Sequence, residues 1–206
     1  IKEVLLDSFS RIEELAAHQG ELTGLTTGFI DIDNKLSGLQ KSDLILLAAR
    51  PSMGKTALGV NIAINSAIKA DASVAIFSLE MSKEQLAQRM ISSVAHVDLQ
   101  KIISGRLEEE EWLKIINVMA PLSQANIFID DTAGISLLEM KAKCRRLKIE
   151  KGLDLVVIDY LQLMESESRH ESRQQEISSI SRGLKALAKE MECPVIALSQ
   201  LSRAPE

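Results

Sequence analysis

The sequence is poor in the residues that mark a nucleic-acid reader, a disulfide scaffold or a membrane protein. One Trp, one Tyr and four Phe are its only aromatic residues, and they fall mostly in strand-like runs or on helix faces, so no base-stacking platform is visible. Lys and Arg number 24 against 29 Asp and Glu, and the net charge of −5 excludes an overall basic footprint for duplex DNA or a membrane surface. That argues against a groove-reading module and leaves room for a nucleic-acid site built from a few loops. Two cysteines, Cys144 and Cys193, provide neither a metal-ligand spacing nor a disulfide framework. Each lies among apolar positions and is expected as a core thiol, which fits a reducing cytoplasm. No apolar run approaches the roughly 18 residues of a membrane span, so no membrane partner is expected. The chain opens abruptly on Ile1, as expected of a piece of something longer.

What is present is a chain of 206 residues, 46% apolar and 26% charged, enough for one large α/β domain plus an appendage. It is organised around Leu44-Ile-Leu-Leu-Ala-Ala-Arg-Pro-Ser-Met-Gly-Lys-Thr56. An apolar run from Leu44 to Ala49 reads as a buried strand, breaks at Arg50-Pro51-Ser52-Met53-Gly54, and resumes as a helix from Lys55 to about Lys69. Strand, tight loop and helix in that order form the context of a phosphate-binding P-loop. Gly54 lets the backbone approach phosphates, and the first turn of the helix, through Thr56 and Ala57, offers unpaired N–H groups and a positive dipole end. Lys55 can reach the β- and γ-phosphates of ATP, and the Thr56 hydroxyl can ligate Mg²⁺. Ala49 stands where the strict pattern has Gly, at a position that only needs to be small.

Residues 1–18 form an amphipathic helix with Leu5, Phe9, Ile12 and Ala16 on one stripe, followed by a glycine-punctuated, turn-rich stretch from Thr23 to Gln40. Such a helix either folds back on its own core or docks on a neighbour, and composition alone favours the first. Further buried strands are expected at 73–79, 126–130, 153–159 and 194–200. Helices between them carry the capping pairs Ser82/Gln85 and Ser136/Glu139. A helix from about Glu108 to Met119 is expected to turn Trp112, Ile115, Ile116 and Met119 inward, with the acidic run at its start favoured by the helix dipole. Strands that are apolar throughout and alternate with helices predict a parallel sheet covered on both faces. Ligands of such sheets bind at the carboxyl ends of the strands, which places the P-loop, Glu80, Asp159 and Gln200 on one rim.

These strand-end groups carry the chemistry. Asp159 closes the run Leu155-Val-Val-Ile and looks like a Walker-B aspartate holding Mg²⁺ beside Thr56. Tyr160 follows it, so the Asp-Glu pair used by many ATPases is absent and the general base must come from elsewhere. Glu80, at the tip of the second strand, is the best candidate to orient or deprotonate the attacking water. Gln200 can hydrogen-bond the γ-phosphate or that water. Asp130 and Asp131 end the third strand, with a turn role or support of the Mg²⁺ shell both open.

Thr27-Gly-Phe-Ile-Asp-Ile-Asp-Asn-Lys-Leu-Ser-Gly-Leu39, followed by Ala49-Arg-Pro-Ser-Met-Gly-Lys-Thr56, resembles the start of a RecA-type ATPase core. Phe77-Ser-Leu-Glu-Met-Ser82, Val156-Val-Ile-Asp-Tyr-Leu-Gln-Leu-Met164 and Val195-Ile-Ala-Leu-Ser-Gln-Leu201 narrow the resemblance to the DnaB-type replicative helicases, over the whole chain. The resemblance implies a RecA-like α/β core at 21–206, incomplete at its C-terminus, with a mostly parallel sheet between helices. It implies a homo-hexameric ring that hydrolyses ATP between subunits and moves 5′→3′ on single-stranded DNA. It also gives roles: Lys55 and Thr56 for phosphate and Mg²⁺, Glu80 for catalysis, Asp159 as the Walker-B acid, Gln200 as the γ-phosphate sensor. Residues 1–20 become a linker helix that packs on the adjacent subunit, reversing the reading from composition. A collar domain that meets primase is expected before Ile1, and an arginine finger and the main channel loops after Glu206. Primase and a helicase loader are implied partners, mainly through those parts. Within the chain, Arg169 and Arg173 are the candidate DNA-phosphate contacts, in a loop that can equally be a solvated polar one. The alternatives are another RecA-fold ATPase, of recombinase or scaffold type, or a nucleotide-gated assembly module with little hydrolysis. Glu80 separates the last of these, because a module that does not hydrolyse has no need of a carboxylate at that tip.

Overall fold

The computed structural model describes residues 1–17, 20, 22–165 and 173–201. In chain order the elements are α1 (Lys2–Ala17), α2 (Ile30–Leu36), β1 (Leu44–Ala49), α3 (Lys55–Lys69), β2 (Val74–Ser78), α4 (Lys83–Ala95) and α5 (Leu99–Ser104). They continue with α6 (Glu109–Gln124), β3 (Ile127–Asp130), α7 (Leu137–Lys151), β4 (Leu155–Asp159), a 3₁₀ turn (Leu161–Leu163), α8 (Arg173–Met191) and β5 (Val195–Gln200). The strands pair in parallel in the order β1-β5-β4-β2-β3.

Alternate residues of each central strand enter two different cores, which is why the strands read as continuous apolar runs. Val74 and Ile76, Leu155 and Val157, and Ile196 and Leu198 face α3 and α4 through Val60, Ala63, Ala67, Leu86 and Met90. Ala75 and Phe77, Val156 and Ile158, and Val195 and Ala197 face α7 and α8 through Met140, Cys144, Leu184, Leu187 and Met191. Fully burying a side chain of this size contributes roughly 1.5–3 kcal/mol, so the two layers dominate the stability of the sheet. Cys144 and Cys193 are buried and unbridged, as core thiols, and burial pushes them up to about 12 and about 11. Among the described residues no helix is long and apolar enough to cross a membrane.

The stretch 23–40 is more ordered than its glycines suggest. Buried Asp33 on α2 accepts hydrogen bonds from the Thr26 hydroxyl (2.6 Å), the Thr27 hydroxyl (2.7 Å) and the Thr27 amide (2.8 Å). Ser66 and Asn65 of α3 then donate to the carbonyls of Thr26 and Thr27, locking this network to the back of the P-loop helix.

The expected inward face of α6 needs correcting. Only Ile115 is buried there, in a small cluster with Ala95 and Val97, while Trp112, Ile116 and Met119 are 52%, 59% and 47% exposed. The helix packs on α4 through Ile115, Val118 and Leu122, and Trp112, Ile116 and Met119 are left largely uncovered among the described residues. Its acidic start behaves as expected of a helix end: Glu108 and Glu111 form a capping box, and Lys101 of α5 pairs with Glu111 at 2.7 Å.

Candidate functional site

The P-loop takes its shape from two left-handed residues, Ser52 (φ 63) and Gly54 (φ 84), between β1 and α3. Gly54 is the N-cap of α3, and it offers no capping side chain, so the first N–H groups of the helix stay available to an anion. A Cβ at Gly54 would meet nothing within 4 Å. Its conformation, and not crowding by the protein, is what requires glycine there.

A cavity of about 440 Å³ lies over this loop, lined by Ala49, Arg50, Pro51, Ser52, Gly54, Lys55, Thr56, Ala57, Glu80, Met81, Arg89 and Gln200. The sheet order explains the gathering. β5 lies beside β1, and the register sets Gln200 opposite Ala49. β4 and β2 follow across the sheet, with Asp159 opposite Ser78. The Leu79 amide donates to the Asp159 carbonyl at 2.7 Å, and the Ser78 hydroxyl donates to the Met81 carbonyl at 2.7 Å. These two bonds shape the turn that carries Glu80 to the cavity wall, just ahead of the α4 capping box formed by Ser82 and Gln85.

Asp159, the last residue of β4, is 3% exposed. Its Oδ1 is 3.6 Å from the Lys55 Nζ and accepts no hydrogen bond among the described residues. The Lys55 ammonium also rests over the Tyr160 ring, 4.0 Å from its centroid. The chain thus brings a P-loop cation, a hydroxyl, an exposed carboxylate and an amide to one opening, and sets the buried Asp159 carboxylate, which does not itself line that opening, 3.6 Å from the cation.

Of the residues expected from the sequence, Arg50 to Ala57 line the cavity with one exception: Met53 is 73% exposed and does not line it. Asp130 and Asp131 are not part of this site. They end β3, at the far edge of the sheet, where Asp130 pairs with Lys143 and Asp131 accepts from the Lys83 amide at the start of α4. Hydrogen bonds from Lys143 and Thr132 outweigh the upward effect of burial and hold the Asp130 carboxyl below its ordinary value. Arg169 lies outside the described residues, and so does the side chain of Arg173, which opens α8. Arg89 is a cavity residue that sequence reasoning missed; its nine-residue spacing from Glu80, along a capped helix, is the signal that could have found it.

A family model described as DnaB-like helicase C terminal domain matches residues 24–206. The replicative DNA helicase DnaB of Geobacillus stearothermophilus is 53% identical over 207 aligned residues, covering 100% of this chain and 46% of that protein. The replicative DNA helicase DnaC of Bacillus subtilis (strain 168) is 52% identical with the same coverage. The chain therefore spans about half the length of the curated relatives it matches. Among solved structures, one described as an ATPase domain superposes with a TM-score of 0.91 at 39% identity, covering 98% of this chain and 72% of that one. A DnaB-like replicative helicase, solved for its structure and its interactions with primase, gives a TM-score of 0.89 at 39% identity, covering 98% of this chain and 48% of that one.

Proposed function

This chain belongs to the DnaB-like helicase C terminal domain family, and from that premise we propose that it is the ATP-hydrolysing motor of a replicative DNA helicase. The observation that carries the proposal is the single cavity lined by the P-loop with Lys55, by Glu80 and by Gln200, with the Asp159 carboxylate 3.6 Å from the Lys55 Nζ. The triphosphate lies along the loop, its charge met by the N-terminal amides of α3 and by Lys55. The residues present suit Mg²⁺: the Thr56 hydroxyl and the Asp159 carboxylate are hard oxygen donors, and the buried Asp159 Oδ1 has acceptor capacity that the described residues do not use. When bound, Mg²⁺ supplies charge neutralisation to the β- and γ-phosphate oxygens. Glu80 orients the attacking water and takes its proton as the water oxygen bonds to the γ-phosphorus and the bond to the ADP oxygen breaks. Gln200 contacts the γ-phosphate and reports its presence to β5.

The assembled form we propose is a homo-hexameric ring on single-stranded DNA. Two apolar stripes without cover among the described residues support it. Leu5, Phe9 and Ile12 of α1 are 63%, 59% and 61% exposed, and α6 presents Trp112, Ile116 and Met119. Laying α1 of one copy against α6 of the next removes both stripes from water, at roughly 1.5–3 kcal/mol for each large side chain fully buried. Arg169 and Arg173 are the proposed phosphate contacts to DNA, and primase and a loader are proposed partners of the whole protein. ATP turnover and duplex unwinding by the full-length protein, with and without Glu80→Gln, test the motor assignment.

A further inference from the structure

Backbone pairing between β4 and β5 stops three residues short of the sensor position. The ladder runs through Val156↔Val195, Val157↔Ile196 and Ile158↔Ala197, after which the β4 chain leaves the sheet for the 3₁₀ turn. The side chain of Gln162, in that turn, takes over. Its Nε2 donates to the Gln200 carbonyl at 3.0 Å and to the Ser199 hydroxyl at 2.9 Å. Its Oε1 accepts from the Gln200 amide at 3.3 Å. A carboxamide has the donor and acceptor of a peptide group, so Gln162 exchanges a reciprocal pair of bonds with the backbone of Gln200, as facing residues of an antiparallel pair do, at the point where the parallel ladder has ended. On the other side the Leu201 amide donates to the Ala49 carbonyl at 3.1 Å, so the backbone around Gln200 is held between the start of the P-loop and the end of β4.

We propose that Gln162 is a positioning residue for the ATPase reaction: it fixes the backbone of Gln200 so that the Gln200 amide projects into the nucleotide cavity at the height of the γ-phosphate. The inference rests on the ATPase reading above. Gln162 does not line the cavity, and its effect on the reaction runs through Gln200. Binding of ADP, which has no γ-phosphate, is therefore indifferent to Gln162, whereas γ-phosphate recognition and turnover depend on it.

The test uses the full-length protein and the variants Gln162→Leu, Gln162→Glu, Gln200→Ala and the double variant Gln162→Leu/Gln200→Ala. Melting temperature, Mg²⁺-ADP affinity, affinity for a non-hydrolysable ATP analogue, and kcat are measured for each. Gln162→Glu keeps the acceptor for the Gln200 amide but sets a carboxylate oxygen against the Gln200 carbonyl, so it disturbs the contact without a change of size. Both single Gln162 variants are expected to lower kcat roughly ten- to a hundredfold, the scale for a misplaced group in a reaction site. ADP affinity should stay within about twofold of the parent, and the analogue should lose its advantage over ADP. The double variant should be no slower than Gln200→Ala, because residues that act as one unit are not additive. Full additivity in the double variant would overturn the inference, as would a parallel loss of ADP affinity and melting temperature, or normal kcat in both Gln162 variants. A parent protein that binds neither nucleotide would overturn the ATPase reading itself, and the inference with it.

Discussion

Lys55 and Asp159, 104 positions apart in sequence, form a nearly buried pair, with side chains 10% and 5% exposed and 3.6 Å between Nζ and Oδ1. Two charges withdrawn from water cost several kcal/mol each unless each meets a partner. Here each is the counter-charge of the other, and the face of the Tyr160 ring adds a cation–π contact to the lysine. The pair holds the proposed phosphate-binding cation and the proposed metal-binding carboxylate side by side.

Replacing Lys55 by Ala should therefore remove both a phosphate contact and the partner of Asp159. A hydrogen bond to a charged group contributes about 1.5–3 kcal/mol, so ATP affinity should fall by at least roughly tenfold and up to more than a hundredfold. Titration calorimetry on the full-length protein checks this. Parent-like affinity in Lys55→Ala would show that the triphosphate does not lie along this loop.

Asp159→Asn should uncouple nucleotide affinity from Mg²⁺. The parent is expected to bind ATP more tightly in Mg²⁺ than in a chelator, and the two affinities should converge in the variant, because an amide oxygen is a poorer ligand than a carboxylate for a hard cation. A variant that keeps the full Mg²⁺ effect would move the metal site away from Asp159.

The layered sheet and the P-loop were legible because each follows from local pattern. The central strands, buried on both faces, must be apolar throughout; β1 is instead an edge strand, not the buried one expected, with Leu46 54% exposed, yet its apolar run still marks the break at Arg50–Gly54 before a helix. The face of α6 was not legible: periodicity marks Trp112, Ile116 and Met119 as one stripe but does not say whether their cover comes from the same chain. α2 was hidden by the glycines around it and by a polar, seven-residue sequence that is helical because Asp33 is anchored to Thr26 and Thr27. The Gln162 contact depends on β4 leaving the sheet early, which no spacing in the sequence encodes.

The Asp33 network makes stability depend on acid. Burial raises the Asp33 pKa, but the hydrogen bonds from Thr26, Thr27 and Gly28 together outweigh it, leaving the folded-state value below the ordinary 3.8. A depressed carboxylate stabilises the fold above its unfolded pKa and loses that contribution as pH falls through the folded value. Asp33→Ala should cost on the order of 2–3 kcal/mol at pH 7, since it strands buried donors. The gap between parent and variant should narrow below about pH 4. Urea unfolding at pH 7, 5 and 3 measures it; a gap independent of pH would show that the carboxylate charge is not what stabilises this turn.

The assembly proposal is tested on the two stripes separately. Phe9→Asp and Trp112→Asp should each disperse full-length rings, seen as a fall in mass by light scattering, while leaving the melting temperature of the monomer nearly unchanged, because both side chains are more than half exposed within their own chain. A variant that lowers monomer stability and leaves the ring intact would place its stripe on its own core.

The most direct measurement is ATP hydrolysis by the full-length protein carrying Glu80→Gln, read beside its ATP affinity. The amide keeps the shape of the side chain and cannot take a proton. If Glu80 is the base in the P-loop cavity, ATP should bind with parent-like affinity while turnover falls by about 10²–10⁴-fold, the range for a positioned acid–base group. Turnover at the parent rate would contradict the assignment of Glu80, and with it the claim that this cavity, as built from the P-loop, Glu80 and Gln200, is where hydrolysis occurs.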